Sequence, residues 1–388
     1  MLRKIKNFFH LIEALIANII YGFPSKKIKV IGVTGTDGKT TTTSFLAHLL
    51  KQSGKKVSFV STVYAQIADK IYDTGLHVTT PSSFMVQRFL NEAVKNKDEF
   101  FVLETTSHAL DQNRVWGVNF EIGVLTNITH EHLDYHKTYE NYVKAKCKLL
   151  KNSKIIVINE EDNSYKYVLN QIKDSELKIQ NYNSKLKILD KVPNLTKFNR
   201  FNFSAGYQVA KILNISDDDF LKAVKTFKLP QGRLDLVYDK DFKVIIDFAH
   251  TPNAFKELLP EIKKIYLKKS GRLIHVFGSA GLRDSSKRPL MGKYSSQYSD
   301  YIILTEEDYR TEDPKKICGQ IVSGFISKKI NYEVIIDRKE AIKKALKMAK
   351  KNDVVLLTGK GHEKSLCRGK TEYPWSDYEA VKEILKIN

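Results

Sequence analysis

Residues 28–50 read IKVIGVTGTDGKTTTTSFLAHLL, and this stretch decides the fold. Its first six residues form an apolar run that is typical of a buried strand, and a glycine-rich turn follows directly. Four apolar residues then follow at helical spacing, which places them on one face of a helix: Phe45, Leu46, Leu49 and Leu50. A strand, a glycine-rich loop and a helix in this order predict the opening of an α/β domain.

The loop after the strand has the composition of a phosphate-binding loop. It consists of Gly35, Thr36, Asp37, Gly38, Lys39, Thr40 and Thr41. Glycines let backbone N–H groups approach phosphate oxygens, and the following helix directs its positive end at the same anions. Lys39 would neutralise the terminal phosphates of ATP, and Thr40 would offer its hydroxyl to Mg²⁺. Because Val33 stands where the general P-loop pattern has glycine, the loop fits a shorter variant of that pattern.

Other apolar runs predict the remaining buried strands. They occupy residues 100–103, 122–125, 155–158, 243–248, 272–277, 301–304 and 353–357. Because helical patterns alternate with these runs, we expect a P-loop ATPase domain with a mostly parallel sheet, followed by a smaller Rossmann-like α/β domain. The boundaries are predicted as 1–27 for a helix and linker, 28–229 for the first domain and 230–388 for the second. Residues 160–200 are polar and are predicted as peripheral structure.

Composition and charge limit the class of protein. The chain has 388 residues and a formal net charge of +20. Its lysines are spread along the chain and no nucleic-acid-binding motif is present, so we expect anionic small molecules, not nucleic acid, as partners. Three separated cysteines, Cys147, Cys318 and Cys367, form no disulfide framework and favour a cytoplasmic protein. We expect it to be a monomer.

The first 22 residues form an amphipathic pattern. Basic residues at the start precede apolar residues at helical spacing, which are Ile5, Phe8, Phe9, Ile12, Leu15, Ile16, Ile19 and Ile20. Two interpretations remain open: a helix packed on the body of the protein, and an interfacial helix that makes peripheral contact with an anionic membrane. The run is interrupted by polar residues, so neither a signal peptide nor a spanning segment is expected.

Polar residues follow two of the predicted strands. Glu104 ends one strand, and residues 126–136 (TNITHEHLDYH) follow another. Three histidines and two acids in seven residues suggest a metal, but zinc is not favoured because the HExxH spacing is missing. A carboxylate at a strand end near a P-loop, with an occasional imidazole, suits Mg²⁺ better.

These motifs, taken together and in order, resemble the Mur ligase family. The matching blocks are GTDGKTTTT (35–43), ETTSHALDQNRVWG (104–117), TNITHEHLDYH (126–136), YVKAK (142–146), GRLD (232–235), DFAHTPNA (247–254), FGSAGLRDSSKRPLMG (277–292), TEEDYRTEDP (305–314) and GKGHE (359–363). The resemblance is closest to the branch that adds the third residue of the peptidoglycan stem peptide. It implies an ATP- and Mg²⁺-dependent ligase that joins an amino acid to a carboxylate through an acyl-phosphate.

The resemblance also implies roles for individual residues. Lys39 and Thr40 would hold the phosphates and one Mg²⁺, while Glu104, His132 and a carbamylated Lys146 would hold a second. The residues implied to bind nucleotide or acyl-phosphate are Asn127, Arg233, Asp247, His250 and Arg283. The residues implied to bind the acceptor or the amino acid are Thr79, Thr80, Ser107, Arg114, Asp308, Arg310, Gly359 and Glu363.

Two departures from the family change the expected substrates. The family normally has a UDP-binding domain before the P-loop, whereas only residues 1–34 precede Gly35 here, so recognition of the UDP part of the acceptor stays open. Either another subunit supplies it, or the acceptor lacks UDP, or the helix at residues 1–22 brings the enzyme to a lipid-linked substrate. The family's amino-acid-selecting motif is Asp-Asn-Pro-Arg, whereas residues 307–310 are Glu-Asp-Tyr-Arg. Because Arg310 and Glu363 remain, a diaminopimelate-like zwitterion is favoured over lysine.

Two alternatives stay open. A folate or poly-γ-glutamate ligase of the same superfamily would share the ATP chemistry but not the acceptor. A catalytically inactive, membrane-associated scaffold would keep the fold, yet it would not need Lys39, Glu104 or Lys146.

Overall fold

The protein consists of two compact units. A computed structural model describes residues 2–73, 79–129, 131–173, 177–327 and 329–387, with the side chains of residues 2–4 left undescribed. Contacts within the chain divide it into Met1–Lys228 and Leu229–Asn388, which we call the N-terminal and C-terminal units. Both are α/β, as predicted.

The N-terminal unit is built on an eight-stranded sheet in the order β4-β3-β2-β5-β1-β6-β7-β8. The strands are β1 (Lys29–Thr34), β2 (Val57–Val60), β3 (Ala65–Ile67), β4 (Lys70–Tyr72), β5 (Phe100–Glu104), β6 (Phe120–Leu125), β7 (Ser153–Asn159) and β8 (Lys178–Tyr182). The helices are α1 (Leu2–Tyr21), α2 (Lys39–Gln52), α3 (Ser83–Lys95), α4 (Ser107–Asp111), α5 (Leu133–His136), α6 (Tyr139–Lys151), α7 (Tyr165–Ile172), α8 (Lys197–Ile212) and α9 (Asp217–Thr226).

The centre of this sheet is parallel and buried on both faces. Strands β5, β1 and β6 are neighbours in register, with Val33 opposite Glu104 and Thr34 opposite Leu125. Their apolar side chains enter two separate core layers, one on each side of the sheet. This two-sided burial explains why the strands are continuous apolar runs in the sequence. The register brings the P-loop, Glu104 and the segment after β6 to one edge of the sheet.

Aromatic packing holds α2, the helix that follows the P-loop, against its neighbours. Phe45 is fully buried and contacts Phe203, Phe220 and Phe227 at ring-centroid distances of 4.5–5.8 Å. A Cβ at Gly206 would lie 2.4 Å from the Phe45 ring, so only glycine allows α8 to approach this closely.

The prediction for residues 160–200 was incomplete. Residues 178–182 form strand β8, which pairs in parallel with β7 at the edge of the main sheet. Four of its five residues are exposed, and its sequence, KIQNY, is therefore polar. Edge strands with one exposed side lack the apolar run by which buried strands are recognised.

The C-terminal unit contains a six-stranded sheet in the order β13-β12-β11-β14-β10-β9, parallel except for β9, and a separate β15-β16 hairpin. The strands are β9 (Asp235–Asp239), β10 (Lys243–Asp247), β11 (Leu273–Phe277), β12 (Tyr301–Leu304), β13 (Tyr332–Val334), β14 (Val354–Thr358), β15 (Ser365–Arg368) and β16 (Thr371–Pro374). The helices are α10 (Pro252–Tyr266), α11 (Lys287–Tyr298), α12 (Pro314–Val322), α13 (Arg338–Met348) and α14 (Asp377–Leu385). The four strands predicted in this half all form, as β10, β11, β12 and β14.

Candidate active site

The P-loop is a tight turn that packs against the segment after β6. Gly38 has φ +80°, a left-handed conformation that favours glycine, and it immediately precedes α2. A Cβ at Gly35 would lie 1.8 Å from Thr126 Oγ1, and one at Gly38 would lie 2.4 Å from Asn202 Oδ1. Both glycines are therefore needed for the close approach of the loop backbone to its surroundings.

Side chains after β6 fix the loop. Asn127 Oδ1 accepts from Asp37 N at 2.9 Å, and Asn127 Nδ2 donates to Asp37 O at 3.1 Å. Thr126 Oγ1 also donates to Asp37 O, at 2.7 Å. In this structure Asn127 therefore holds the loop, and its implied role in binding the nucleotide stays a prediction. Lys39 Nζ donates to Thr36 O at 2.7 Å, which keeps the ammonium group close to the loop.

Two threonine hydroxyls, one from α2 and one from the segment after β2, lie within hydrogen-bond distance of the Glu104 carboxylate. Thr40 Oγ1 lies 3.0 Å from Glu104 Oε1, Thr62 Oγ1 lies 2.8 Å from the same oxygen, and the two hydroxyls are 3.2 Å apart. Mg²⁺ binds oxygens at about 2.0–2.1 Å in octahedral geometry, which separates adjacent ligands by about 2.9 Å. The three oxygens therefore fit a magnesium ion in both chemistry and spacing. Thr40 and Glu104 lie close enough to share one ion, whereas the family resemblance implies a separate ion for each.

Lys146 is a buried lysine beside the P-loop. Its Nζ donates to Gly35 O at 2.5 Å and lies 4.6 Å from the centre of the Tyr142 ring. Burial, together with the nearby positive charge of Lys39, lowers the pKa of the Lys146 ammonium well below its usual value. A larger share of this amine is consequently neutral, and a neutral amine can react with carbon dioxide to form a carbamate.

Histidines and aromatic rings lie beside the site. The His132 ring lies 4.8 Å from the His108 ring, and His136 Nε2 lies 3.0 Å from Ser107 Oγ. His130 lies outside the described residues. Among the residues that are described, no group of three or more His, Cys, Asp or Glu side chains is arranged to hold a metal. The role of His132 as a ligand of the second Mg²⁺ therefore stays a prediction.

Three residues predicted to bind the acceptor are linked to Glu104. Thr80 Oγ1 donates to Glu104 O at 3.1 Å, and Arg114 Nη1 donates to Thr80 O at 3.0 Å. Thr79 Oγ1 lies 3.1 Å from Thr62 Oγ1. The hydroxyls and the guanidinium are thus adjacent to the predicted metal site, where an anionic acceptor would be attracted.

In the C-terminal unit, a second group of predicted residues surrounds Phe248. Arg233 stacks on the Phe248 ring at 4.7 Å, and His250 Nδ1 lies 2.9 Å from Phe248 O. Asp247 accepts from Leu234 N at 2.8 Å and from Ala249 N at 2.7 Å, so its carboxylate ties two segments together. The structure thus brings Arg233, Asp247 and His250 into one cluster.

A buried ion-pair network joins two other predicted residues. Lys360 Nζ lies 2.8 Å from Asp308 Oδ1 and 2.5 Å from Glu363 Oε2, and all three side chains are largely buried. Burial lowers the pKa of Lys360, but the two carboxylates outweigh it and leave the pKa above its usual value. Arg310 Nη1 donates to Gly281 O at 2.7 Å, and its backbone has φ +53°. Lys360 is therefore part of the framework that positions Asp308 and Glu363.

Two predicted residues remain to be located. Gly359 has φ +100°, and a Cβ there would lie 2.8 Å from Glu307 Oε2. That oxygen is buried and has no hydrogen-bond partner within the described residues, and burial raises the pKa of the Glu307 carboxyl. Arg283 is exposed and belongs to neither of these clusters.

Sequence reasoning missed Thr62, Glu307 and Lys360. Thr62 follows strand β2 and also donates its backbone N–H to Glu104 Oε2 at 2.8 Å. Nothing in the sequence marked it, because β2 is a short strand without a recognisable motif. Glu307 and Lys360 lie inside motifs that were quoted for their neighbours, so a full accounting of charges in those motifs would have found them.

Comparison with known proteins identifies the family. The model of the Mur ligase middle domain matches residues 33–221, and that of the Mur ligase glutamate ligase domain matches residues 232–361. The chain is 40% identical to a UDP-N-acetylmuramoyl-L-alanyl-D-glutamate–2,6-diaminopimelate ligase of Aquifex aeolicus, over 95% of this chain and 80% of that protein. It is 38% identical to a UDP-N-acetylmuramyl-tripeptide synthetase of Borrelia garinii, over 95% of this chain and 78% of that protein.

Solved structures of related proteins have the same fold as this chain. A UDP-N-acetylmuramoyl-L-alanyl-D-glutamate–2,6-diaminopimelate ligase superposes with a TM-score of 0.60 and 28% identity, over 92% of this chain and 78% of that one. A folylpolyglutamate synthase of Mycobacterium tuberculosis gives a TM-score of 0.75 at 12% identity, over 97% of this chain and 96% of that one, which reflects a shared fold alone. The chain therefore belongs to the Mur ligase family and is an ATP- and magnesium-dependent ligase.

Proposed function

We propose that this enzyme adds a diamino acid to a muramoyl-dipeptide in the synthesis of peptidoglycan precursors. The observation that carries the proposal is the convergence of the P-loop, Glu104 and Lys146 at one edge of the N-terminal sheet, in a chain 40% identical to a diaminopimelate ligase. A folate-type acceptor is less well supported, because the folylpolyglutamate synthase matches in fold at only 12% identity.

The P-loop and the basic residues beside it would bind the phosphates of ATP. The loop leads directly into the start of α2 at Lys39, where the helix dipole favours anions. Lys39 would offset the negative charge on the terminal phosphates and on the approaching carboxylate. When bound to Thr40, Thr62 and Glu104, Mg²⁺ would reduce the repulsion between these anions.

The reaction would then proceed in two steps. An oxygen of the acceptor carboxylate attacks the γ-phosphorus of ATP, which forms an acyl-phosphate and releases ADP. The neutral amine of the incoming amino acid attacks the acyl carbon, phosphate leaves, and the nitrogen loses a proton to give the amide. Arg114 and the hydroxyls of Thr79 and Thr80 would hold the acceptor near Glu104.

We further propose that Lys146 carries a carbamate in the working enzyme. Burial lowers the pKa of its amine, and its Nζ donates to Gly35 O beside the P-loop. Carbamylation would replace a cation with an anion, so the modified side chain would favour a divalent cation near the loop instead of repelling it. His132, the residue immediately before α5, would complete the same metal environment.

The C-terminal unit would select the amino acid. Arg310 can bind a carboxylate in bidentate fashion, and Glu363 can bind an ammonium group. Because Lys360 already pairs with Glu363, only part of that carboxylate's charge is available to a substrate. The combination favours a zwitterion such as the distal end of diaminopimelate, for which Arg310 supplies the distinguishing contact.

Two assays test this assignment. We propose that the enzyme works as a monomer in the cytoplasm. The first assay measures ADP release with UDP-MurNAc-L-Ala-D-Glu and, separately, with γ-glutamyl acceptors. The second measures amide formation with diaminopimelate and with lysine. We expect diaminopimelate to be preferred, and the preference to fall in Arg310→Lys. Use of lysine without use of diaminopimelate would refute the proposed selectivity.

A further inference from the structure

Helix α1 is oriented with its apolar face away from the protein. Eight apolar side chains on one side are exposed, by as much as 60% for Phe8, 65% for Phe9 and 63% for Ile20. The others are Ile5, Ile12, Leu15, Ile16 and Ile19. An amphipathic helix that packs on a protein normally buries this face. Here it is the opposite face that contacts the body.

The contacts with the body are small and polar. Ala14, Ala17 and Asn18 are fully buried, and Asn18 Nδ2 donates to Trp116 O at 2.9 Å. At the other end of the helix, Asn7 Nδ2 donates to Asp111 O at 2.9 Å. Hydrogen bonds at both ends therefore fix the orientation of α1 about its own axis.

Gly117 shows how closely α1 approaches the body of the protein. Gly117 has φ +80°, and a Cβ there would lie 2.6 Å from Asn18 Nδ2. Ser25, just after the helix, donates to Gly117 O at 3.1 Å. Residues 111–117 thus form part of the surface on which α1 packs, and the apolar face of the helix points outward.

The sequence of α1 and of the residues just after it is strongly basic. Residues 1–29 contain six Lys and Arg against a single acid, Glu13, and that acid lies 3.3 Å from His10. Lys6, Lys26 and Lys27 are exposed. An exposed apolar stripe accompanied by basic side chains matches the two attractions that hold interfacial helices on anionic lipid.

We propose that α1 is a docking surface for an anionic lipid bilayer, with its apolar face at the level of the headgroups. None of the helices in the described ranges combines the length and apolarity needed to cross a bilayer, so the contact is peripheral. A second copy is a poorer occupant, because self-pairing would bring the same basic residues together in a protein of net charge +20. The proposal does not depend on which acceptor the ligase uses.

Vesicle flotation of the 388-residue chain tests the proposal. The probes are vesicles of equal parts phosphatidylglycerol and phosphatidylcholine, with pure phosphatidylcholine for comparison. We expect the wild type to float with the anionic vesicles, and the triple variant Phe9→Ser, Ile16→Ser, Ile20→Ser to lose at least about tenfold in partitioning. A matched variant with exposed apolar residues changed elsewhere, Tyr167→Ser, Ile179→Ser, Ile326→Ser, should float like the wild type.

A charge variant separates the electrostatic attraction to anionic lipid from the insertion of apolar side chains. Lys6→Glu, Lys26→Glu, Lys27→Glu should lose binding to anionic vesicles and keep the wild type's circular dichroism spectrum, thermal transition and ADP release. Absence of wild-type flotation, or equal flotation of the Phe9 triple variant, would overturn the proposal. So would sedimentation velocity showing a wild-type dimer that the same variant abolishes without any vesicle binding, since the face would then belong to a second copy.

Discussion

Thr40 Oγ1 donates to Glu104 Oε1 at 3.0 Å, which joins the first turn of α2 to the end of β5. Thr62 contacts both oxygens of the same carboxylate, through its backbone N–H and its hydroxyl. Glu104 is fully buried, and its carboxylate accepts hydrogen bonds from these neutral threonine groups. A cation that replaced those hydrogen atoms would find three oxygens already in position.

Glu104→Gln should raise the Mg²⁺ concentration needed for half-maximal ADP release by at least about tenfold. Glutamine keeps the shape and can still accept from Thr40, but it lacks the charge that attracts the cation. The measurement is the initial rate as a function of Mg²⁺ concentration. Glu99→Gln, at an exposed surface pair with Lys55, is the control. An unchanged Mg²⁺ dependence in Glu104→Gln would argue against this carboxylate as a ligand.

Lys39→Ala should reduce ADP release by about 100- to 1,000-fold, because a charge that acts on the transferring phosphoryl group is lost. The fold should be unaffected, since Lys39 is only half-buried and its ammonium group donates to the loop backbone at Thr36 O. Lys51→Ala, at the far end of the same helix, is the control. Wild-type turnover in Lys39→Ala would remove this residue from the mechanism.

Lys146 should form a carbamate that depends on pH. The lowered pKa leaves a larger share of this amine neutral at a given pH than in an ordinary lysine. As the pH falls through that lowered pKa, the ammonium form grows, the nucleophile is lost, and carbamate formation and activity should decrease together. The measurement is a ¹³C NMR signal from labelled bicarbonate across a pH series.

The control for this experiment lies on the same helix. Lys146→Ala should lose the carbamate signal and most activity, while Lys144→Ala, at an exposed position of α6, should keep both. A signal that persists in Lys146→Ala would show that another amine is modified.

Lys360→Met should destabilise the C-terminal unit by about 3–5 kcal/mol, because two buried carboxylates lose their shared cation. Thermal or urea unfolding measures the change in the free energy of unfolding. Lys382→Met breaks an exposed pair with Glu379 and should change it by less than about 0.5 kcal/mol. Equal stability of the two variants would contradict the interpretation of Lys360 as framework.

The buried strands and the P-loop were predictable from the sequence because each has a strong local pattern. Strand β1 is a continuous apolar run, and Gly35 and Gly38 occur where the loop backbone must approach other groups. Strand β8 was missed because an exposed edge strand has no such pattern. The helical pattern of residues 5–20 was recognised, but not which face would be buried, because Asn7 and Asn18 find their partners about a hundred residues away.

Within the site, the family motifs identified Glu104 and Lys146 but not their surroundings. Thr62 lies 42 residues before Glu104 in the chain, and only the pairing of β2 with β5 brings them together. The low pKa of Lys146 likewise depends on burial by several elements, which no local window of sequence contains.

The assignment of the P-loop edge as a ligase active site is tested most directly by quantifying ADP and amide. The reaction contains purified enzyme, Mg²⁺, ATP, UDP-MurNAc-L-Ala-D-Glu and diaminopimelate, and each component is omitted in turn. We expect ADP and the new amide to appear in equal amounts, and only when acceptor, amine and Mg²⁺ are all present. If ATP is not consumed with this or any other pair of acid and amine, the assignment of the P-loop edge as a ligase active site is wrong.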